Sequence, residues 1–259
     1  MHMEDISLVR PYNGFSLVYD RMMKHVNYKR WTAFIVAALK RLGHPKGFVL
    51  DMGCGTGTVS LLLVENGYKP VGLDLSIGMI RKAREKSIHA GISIPFLQGD
   101  MRSLPFHGRS FDVVLSLYDS MNYMLEKEDL RKVFQEVKRV LKKGGVFIFD
   151  LATEWNIIRN FDGRTFSEEH DDFSYIWTNE YDRSMKIVCS RLVFSIKEGA
   201  RTKKFVEIHR QRMYDVMEVA KVLEGSGFVL HGIFDNFYPK LYSVKSDRAV
   251  FVSSIGIST

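Results

Sequence analysis

The sequence predicts an α/β fold in which helices cover both faces of a mostly parallel sheet, with a smaller antiparallel sheet inserted late in the chain. Two observations lead to this fold class. From residue 47 to residue 150, short apolar runs alternate with helical stretches, which is typical of parallel strands joined by crossover helices. Between residues 173 and 213, three strand-like segments follow one another with no helical pattern between them, as in an antiparallel meander.

The composition is that of an ordinary globular protein. Hydrophobic residues make up 46% of the 259 residues and charged residues 26%, so a disordered or fibrous chain is excluded. No apolar run approaches the roughly 20 residues of a membrane helix. Residues 1–5 lack the basic start and apolar stretch of a signal peptide, and the two cysteines, Cys54 and Cys189, lie far apart in sequence. We therefore expect a cytoplasmic protein without disulfides.

The N-terminal part of the chain is predicted to be helical. Residues 15–42 carry a helical pattern that breaks near Asn27, and Gly43 and Pro45 end it. We assign residues 1–45 to this N-terminal helical segment.

Strands and helices then alternate, and glycine ends most of the helices. Predicted strands cover residues 47–51, 70–74, 93–98, 111–117 and 146–150. Predicted helices cover residues 58–66, 77–90 and 127–142. In the last of these helices, Lys142 and Lys143 would complement the negative end of the helix dipole before Gly144. Together these elements predict a parallel sheet with right-handed crossovers.

The pattern changes after residue 160 and returns to α/β near the end of the chain. Strand-like segments cover residues 173–181, 186–196 and 203–213, and strands at 228–237 and 248–255 complete the main sheet. Asp215, with Glu218 three residues later, is expected to open a helix over 215–224. The predicted division is therefore an α/β domain formed by residues 46–154 and 215–259, interrupted by a β insertion at 155–214.

A glycine-rich turn between the first strand and the next helix carries the strongest functional signal. Asp51 ends the strand, and the turn at 53–57 has the spacing Gly-x-Gly-x-Gly. Glycines let the backbone turn tightly and approach a ligand closely, and the helix start presents free N–H groups. Dinucleotides require Gly-x-Gly-x-x-Gly, and Thr58 stands at that third glycine position. S-adenosylmethionine (SAM) has no phosphate and carries cationic groups, so Asp51 favours SAM.

Two more acids end the next two strands. Asp74 is expected where a ribose diol would lie, and its carboxylate can accept a hydrogen bond from each of the two hydroxyls. Asp100 and Met101 follow the third strand, where an adenine amino group would be recognised. The carboxyl ends of parallel strands meet at one crevice, so these acids are expected to share one site with Asp51.

These motifs resemble those of the class I SAM-dependent methyltransferases, over about residues 15–255. The run 51–57 is similar to the family's first motif, Gly72-Leu-Asp74 with Met79 to its second, and Gly99-Asp100-Met101 to its third. The resemblance implies a Rossmann-like seven-stranded sheet, SAM as cofactor and methyl transfer as activity. The residues that it places at the cofactor are Tyr19, Trp31, Asp51, Gly53, Cys54, Gly55, Gly57, Asp74, Leu75, Met79, Asp100, Met101, Leu117 and Tyr118.

The N-terminal segment has a narrower resemblance. The run from Tyr19 to Trp31 is similar to bacterial small-molecule methyltransferases, among them amino-sugar N-methyltransferases and, more distantly, glycine N-methyltransferase. It implies that the segment folds over SAM as a lid, with Tyr19 and Trp31 flanking the sulfonium, as the cation–π argument favours. The alternative is that Tyr28 and Trp31 pack in the core one turn apart on a helix.

The loop after the fourth strand supplies the candidate catalytic groups. In the family this loop touches both SAM and the acceptor, so we select Asp119 and Tyr123 together with Tyr19. Tyr118 is a further candidate base. Asp119 would orient or deprotonate the acceptor or pair with an amine, and its alternative role is to cap a helix. No Cys, His and acid cluster has the spacing of a metal site, so no metal is predicted.

Three functions remain open from the sequence. The first is methyl transfer to N or O of a small molecule, with the insertion covering the acceptor site. The second is methylation of RNA or protein, using Lys203, Lys204, Arg210 and Arg212 in the basic stretch 201–212. The net charge of +7 permits this, but the chain lacks the Asp/Asn-Pro-Pro-Tyr/Phe run of amino-methylating nucleic-acid enzymes, so a nucleic-acid partner is disfavoured. The third is a non-catalytic SAM-binding regulator.

Overall fold

The computed structural model describes residues 6–199 and 201–256. Its strands are β1 (Ile6–Leu8), β2 (Phe48–Met52), β3 (Lys69–Asp74), β4 (Phe96–Gln98), β5 (Phe111–Ser116), β6 (Leu141–Ala152), β7 (Thr165–Glu169), β8 (Phe173–Asp182), β9 (Ile187–Glu198), β10 (Arg201–Arg212), β11 (Phe228–Asp235) and β12 (Arg248–Ile255). Its α-helices are α1 (Tyr19–Met22), α2 (Tyr28–Arg41), α3 (Thr58–Glu65), α4 (Ile77–His89), α5 (Lys127–Val140), α6 (Glu154–Asn160) and α7 (Val216–Gly225). Short 3-10 turns cover Phe15–Leu17, Met23–His25 and Ser120–Tyr123.

The main sheet has seven strands in the order β11-β12-β6-β5-β2-β3-β4. The strands from β2 to β6 run parallel, while β12 pairs antiparallel with β6 and β11 antiparallel with β12. Helices cover both faces, so the predicted α/β, Rossmann-like fold is confirmed. The central strands read as continuous apolar runs because both of their faces are buried.

Successive residues of β6 show how the two faces are filled. Phe147 and Phe149 belong to the core beneath α5 and α7, whereas Val146 and Ile148 belong to the core beneath α2 and α3. This alternation follows from the period of two residues in a strand. The two cores hold the sheet from both sides and fix the carboxyl ends of its parallel strands at one edge.

A second sheet of five strands has the order β1-β10-β9-β8-β7. Its strands pair antiparallel except for β1, which pairs parallel with β10. The strands β8, β9 and β10 lie where the sequence predicted a meander. The sequence analysis missed β1, β7 and the helix α6. The first strand has only three residues and depends on its partner, and β7 is a polar edge strand without apolar alternation.

The N-terminal segment is less helical than predicted. It contains β1, two 3-10 turns and the four-residue helix α1, and a longer helix begins only after Asn27, whose side chain accepts a hydrogen bond from the N–H of Arg30. The helix break predicted near Asn27 is therefore confirmed. Residues 1–5 of the predicted lid and 257–259 of the predicted α/β domain lie outside the described residues.

Two boundaries also differ from prediction for local reasons. The strand predicted from residue 93 begins at Phe96, because Pro95 has no N–H to donate to a ladder. The helix predicted to reach Lys142 ends at Val140, so the basic residues in its last turn are Lys138 and Arg139. Among the described residues, no helix is both long and apolar enough to cross a membrane.

Candidate active site

The glycine-rich loop after β2 has a backbone that requires glycine. Gly53, Gly55 and Gly57 all have positive φ angles, of 75°, 54° and 76°. A Cβ atom on Gly53 would lie 2.5 Å from the hydroxyl oxygen of Ser120. The N–H groups of Gly53 and Cys54 donate to the carbonyl of Leu73, at 2.7 and 3.0 Å, so the loop is held against the end of β3.

Asp74 links this loop to the start of α4. One carboxylate oxygen accepts the N–H of Gly55 at 2.9 Å, and the other accepts the N–H of Ser76 at 2.8 Å. Burial raises the pKa of the Asp74 carboxyl, and these two hydrogen bonds, together with the backbone N–H of Leu75, oppose the rise. Each oxygen retains one lone pair for a ligand.

A cavity of about 430 Å³ opens at the carboxyl ends of the parallel strands and is bounded on one side by the N-terminal segment. Most of the residues predicted to bind the cofactor line it. They are Tyr19, Gly53, Gly55, Asp74, Leu75, Met79, Asp100, Met101, Leu117 and Tyr118. We call this space the cofactor cavity. Tyr12 of the N-terminal segment also lines it, as do Arg10 and Gln98, which the sequence analysis missed.

The remaining predicted cofactor residues lie behind the loop or in the core. Asp51 is buried and accepts a hydrogen bond from the hydroxyl of Ser60 at 2.5 Å, and burial raises its pKa to about 6. Cys54 and Gly57 belong to the loop and pack towards α4 and β4. Trp31 lies in the core beneath α2, where it stacks on Phe237 with ring centroids 4.5 Å apart. The alternative interpretation of Trp31 as a core residue therefore describes its position.

Asp100 has a partner that the sequence did not suggest. Two guanidinium nitrogens of Arg102 donate to its carboxylate at 2.7 and 3.1 Å, and these hydrogen bonds lower the pKa of the Asp100 carboxyl. Both residues line the cofactor cavity. An adenine amino group at this position would therefore compete with Arg102 for the carboxylate.

A second cavity of about 110 Å³ lies between the main sheet and the second sheet. We call it the inner cavity. Its walls come from the loop after β5, from α6, from β8, β9 and β10, and from Arg248 at the start of β12. Tyr12, Tyr19, Tyr118 and Tyr123 line both cavities and so form their common wall.

These tyrosines are half-buried, and several of them contact one another. The hydroxyls of Tyr12 and Tyr123 are 2.7 Å apart, and the rings of Tyr12 and Tyr19 meet edge to face. Burial raises the pKa of Tyr12, Tyr19 and Tyr123 well above the ordinary value for tyrosine. The common wall therefore presents neutral hydroxyl groups at neutral pH.

Asp119 is engaged on both carboxylate oxygens. One oxygen accepts from the guanidinium of Arg248 at 2.8 Å, and the other accepts from the amide of Gln211 at 2.6 Å. Arg248 is itself buried and also pairs with Asp150. Asp119 has φ 54° and precedes the turn Ser120–Tyr123, but within the described chain its side chain makes no capping hydrogen bond there. Its position favours holding Arg248 and the cavity wall over proton abstraction.

A buried row on β10 was missed by the sequence analysis. Nδ1 of His209 lies 2.7 Å from the hydroxyl of Tyr123, and Nε2 lies 3.0 Å from a carboxylate oxygen of Glu207. Glu207 also accepts the N–H groups of Tyr12, Gly14 and Phe15, at 2.7, 2.6 and 2.9 Å. The available signal was the period of two: polar residues at 207, 209 and 211 share one strand face.

The basic residues of β10 serve different surroundings. Arg210 lies exposed on the opposite face of the strand from His209. Arg212 turns to the loop before α5, where it donates to the carbonyl of Leu125 at 2.8 Å and lies beside Tyr214. By alternation, Lys203 shares a strand face with His209, whereas Lys204, Arg210 and Arg212 lie on the other face, so the stretch 201–212 does not present one basic surface. Among the described residues, no group of three or more His, Cys, Asp and Glu side chains is placed to hold a metal.

Comparison with known proteins gives consistent relatives. A family model described as a methyltransferase domain matches residues 49–145. YqeM of Bacillus subtilis (strain 168), which is named as a methyltransferase, is 36% identical over 240 residues, covering 93% of this chain and 95% of the relative. The similarity between this chain and YqeM therefore extends far beyond the glycine-rich loop.

Solved structures agree with this comparison. A SAM-dependent methyltransferase from Clostridium acetobutylicum ATCC 824 has a TM-score of 0.83 and 28% identity, covering 95% of this chain and 99% of that chain. The sugar N-methyltransferase KedS8 from Streptoalloteichus sp. ATCC 53650 shares the fold, with a TM-score of 0.73 and 18% identity, covering 97% and 95%. A relative that is more than a third identical along almost the whole chain makes this protein a member of the class I SAM-dependent methyltransferases.

Proposed function

We propose that this enzyme methylates a nitrogen or oxygen atom of a small molecule held in the inner cavity, and that an amine is the preferred acceptor. The observation that carries the proposal is the common wall: Tyr12, Tyr19, Tyr118 and Tyr123 line both cavities. A donor in one cavity and an acceptor in the other would meet at these four side chains. Such alignment can contribute about 7–11 kcal/mol towards lowering the barrier.

The cofactor cavity suits SAM in size and in chemistry. Its volume of about 430 Å³ lies within the range of small-molecule sites, roughly 300–1,000 Å³. We assign the ribose hydroxyls to Asp74, whose two oxygens each keep a free lone pair. We expect the ligand to approach the backbone closely at Gly53 and Gly55. Leu75 and Met79 supply apolar contacts. When bound, SAM supplies an electrophilic methyl group.

The protein's own contribution is to align the acceptor, exclude water and manage one proton. The tyrosines of the common wall are neutral and half-buried, so they can donate hydrogen bonds and offer ring faces to a cation. The residues at 12–15 are fixed to β10 through Glu207, and the Ser76 hydroxyl donates to the carbonyl of Tyr12 at 3.1 Å. These contacts hold the N-terminal segment over the junction of the two cavities.

The charges around the inner cavity favour an amine over an acid. Asp119, Asp150 and Glu207 lie at or directly behind its wall, and Arg248 is the cation that faces two of them. An anionic acceptor would meet an excess of carboxylates with Arg248 already paired. A cationic or neutral acceptor meets no such penalty. The solved sugar N-methyltransferase that shares this fold is consistent with a nitrogen acceptor.

A nucleic-acid or protein acceptor is the weaker candidate. The basic residues of β10 face different ways, and the inner cavity is enclosed by the second sheet. A flipped base or a long side chain would need an open path to the common wall. We therefore retain this candidate only as an outcome of the experiment below.

The cellular setting belongs to the same proposal. Cys54 and Cys189 are both free thiols, as expected for a protein kept in a reducing compartment. We propose a cytoplasmic location, which fractionation of the host cell would test.

The function is tested by measuring S-adenosylhomocysteine release from SAM with matched panels of small amines, alcohols and carboxylic acids. We expect turnover with amines to exceed turnover with alcohols, and acids to be inert. Binding of S-adenosylhomocysteine without turnover on any panel would favour a regulator instead. Turnover only with RNA or protein would overturn the proposal.

A pair of variants on α6 locates the acceptor. Asn156 lines the inner cavity but not the cofactor cavity. Its side-chain oxygen accepts a hydrogen bond from the side-chain amide of Asn160 at 2.8 Å. Asn156→Phe should fill the cavity, raise the KM for the amine at least tenfold and leave the Kd for S-adenosylhomocysteine unchanged. Asn160→Phe breaks the same hydrogen bond without filling the cavity and is the matched control. Equal effects of the two variants would place the acceptor elsewhere.

A further inference from the structure

Methylation of an amine requires the loss of one proton. At neutral pH an alkylamine is an ammonium ion, which has no lone pair with which to attack a methyl group. A positioned base that removes this proton typically contributes about 10²–10⁴-fold to the rate. The inference below rests on the proposed function and concerns where that proton goes.

The tyrosines at the junction cannot supply the basicity themselves. Burial raises the pKa of Tyr12 and Tyr123 well above the ordinary value, so both hydroxyls stay protonated at neutral pH. Asp119 is held on both oxygens by Arg248 and Gln211. Tyr123, however, is joined to an imidazole behind it, which can accept a proton on a ring nitrogen, because its hydroxyl lies 2.7 Å from Nδ1 of His209.

Glu207 determines which nitrogen of His209 is free to accept a proton. The carboxylate accepts three backbone N–H groups and lies 3.0 Å from Nε2 of His209. A carboxylate that accepts three N–H groups acts as an acceptor towards the imidazole as well, so Nε2 carries the hydrogen. In a neutral imidazole Nδ1 is then an acceptor, and the Tyr123 hydroxyl must donate to it. The hydroxyl of Tyr12, 2.7 Å away, donates in turn to the Tyr123 oxygen.

We propose that His209, oriented by Glu207 and acting through the hydroxyl of Tyr123, receives the proton of the acceptor. The acceptor N–H gives its proton to the Tyr123 oxygen while the Tyr123 O–H proton moves to Nδ1 of His209. The nitrogen lone pair so released forms the new N–C bond, and the S–C bond of the sulfonium breaks with its electron pair kept by sulfur. The resulting imidazolium faces the Glu207 carboxylate, which stabilises its charge.

His209 lies in the same enclosure as the proposed acceptor, together with several other titratable groups. His209 lines the inner cavity although it is almost fully buried, so the acceptor and the histidine share one enclosure. The titratable and charged groups that face or share this enclosure come from five elements. They are Tyr12 and Tyr19 of the N-terminal segment, Tyr118, Asp119 and Tyr123 of the loop after β5, Asp150 of β6, Glu207 of β10 and Arg248 of β12.

The decisive experiment compares two probe acceptors that differ in protonation. n-Butylamine is an ammonium ion at pH 7.5, whereas O-propylhydroxylamine has the same length and is neutral. His209→Asn keeps a hydrogen-bond partner for Tyr123 but removes the base. We expect kcat with n-butylamine to fall about 100-fold or more and kcat with O-propylhydroxylamine to fall less than fivefold. The Kd for S-adenosylhomocysteine should be unchanged in both cases.

Two further readouts guard against a purely structural effect. Tyr123→Phe should show the same selectivity for the protonated probe. The wild-type kcat with n-butylamine should fall as pH decreases with the slope of one proton, and His209→Asn should lose that dependence. Equal losses on both probes, or an unchanged pH profile in His209→Asn, would overturn the proposal.

Failure of the proposed function would be recognised separately. If neither probe is methylated, ¹⁵N spectra of His209 in the complex with S-adenosylhomocysteine decide the inference. A neutral ring protonated on Nε2 at pH 7.5, changed by Tyr123→Phe, supports the relay. A ring protonated on Nδ1, or an imidazolium throughout pH 6–9, refutes it, because neither form can receive a proton from Tyr123.

Discussion

Replacement of Asp74 by alanine should weaken cofactor binding by an amount that can be worked out from its contacts. A carboxylate offers about four lone-pair sites, and the N–H groups of Gly55 and Ser76 occupy two of them. Two sites remain, which matches the two hydroxyls of a ribose. A hydrogen bond to a charged group contributes about 1.5–3 kcal/mol, so Asp74→Ala should cost roughly 3–6 kcal/mol of binding free energy. At about 1.4 kcal/mol per tenfold, the Kd should rise by at least about 100-fold.

The variant also removes two hydrogen bonds that hold the loop, so the ligand must be varied as well. Calorimetry with S-adenosylhomocysteine and with its 2′,3′-dideoxy analogue separates the two effects, in the manner of a double-mutant cycle. The dideoxy analogue should bind the wild type more weakly than S-adenosylhomocysteine does. Asp74→Ala should reduce the affinity for the dideoxy analogue only slightly further. Asp74→Asn, which keeps one acceptor oxygen, should fall between the two proteins.

Asp112 provides the matched control. Its carboxylate also accepts a backbone N–H, that of Phe48 at 2.8 Å, and it pairs with Lys142 at 2.9 Å, at the opposite edge of the sheet. Asp112→Asn should leave both affinities unchanged. If Asp74→Ala weakens both ligands equally, Asp74 holds the loop and does not contact the ribose, and the assignment fails.

Three other predictions follow from burial and packing. Burial raises the pKa of Asp51 to about 6, so the wild type loses stability as pH rises from about 4 to 6. Asp51→Asn should therefore be more stable than the wild type by up to about 3 kcal/mol at pH 8, and as stable as the wild type at pH 4. Denaturant unfolding of both proteins at the two pH values checks this. Trp31→Ala should destabilise the fold by about 3–5 kcal/mol but change the Kd for S-adenosylhomocysteine less than threefold, since Trp31 stacks on Phe237; a larger change in Kd would put Trp31 at the cofactor. Residues 12–31, if they act as a lid, should exchange amide hydrogens more slowly once SAM is bound, and equal protection with and without SAM would contradict that role.

The fold could be predicted because its signals are local. Apolar runs, helix-stopping glycines and the Gly-x-Gly-x-Gly turn each act within about ten residues, and they predicted the seven-stranded sheet. The elements that were missed depend on distant partners. Strand β1 exists because Ile6–Leu8 pairs with β10, about 200 residues later, and nothing within three residues encodes that pairing.

The site divides in the same way. The positions of Asp74 and the loop glycines follow from strand ends, whose place in a parallel sheet is fixed by topology. Trp31 was expected at the cofactor from the resemblance of its segment, and the apolar stripe on α2 gives it a place in the core, which was the alternative interpretation. The sequence analysis missed His209 and Glu207 because the positive charge of the stretch 201–212 favoured its interpretation as a basic surface. Alternation along β10 places Glu207 and His209 on one strand face and Arg210 and Arg212 on the other.

Glu207 joins the N-terminal segment to the inner cavity, and its replacement tests both ends of that connection. Glu207→Gln has one acceptor oxygen where the carboxylate had two, so at least one of the N–H groups of residues 12–15 loses its partner. An unsatisfied buried donor costs about 1–3 kcal/mol, so amide exchange at Tyr12, Gly14 and Phe15 should speed up roughly 5–150-fold. Glu180→Gln, at an exposed position on β8, is the control and should leave these rates unchanged. Unchanged exchange in Glu207→Gln would mean that pairing of β1 with β10 is sufficient to hold the segment. Faster exchange would show that the carboxylate that faces the imidazole of His209 also fixes the segment over the cofactor cavity, so that ordering the segment and orienting that ring depend on the same group.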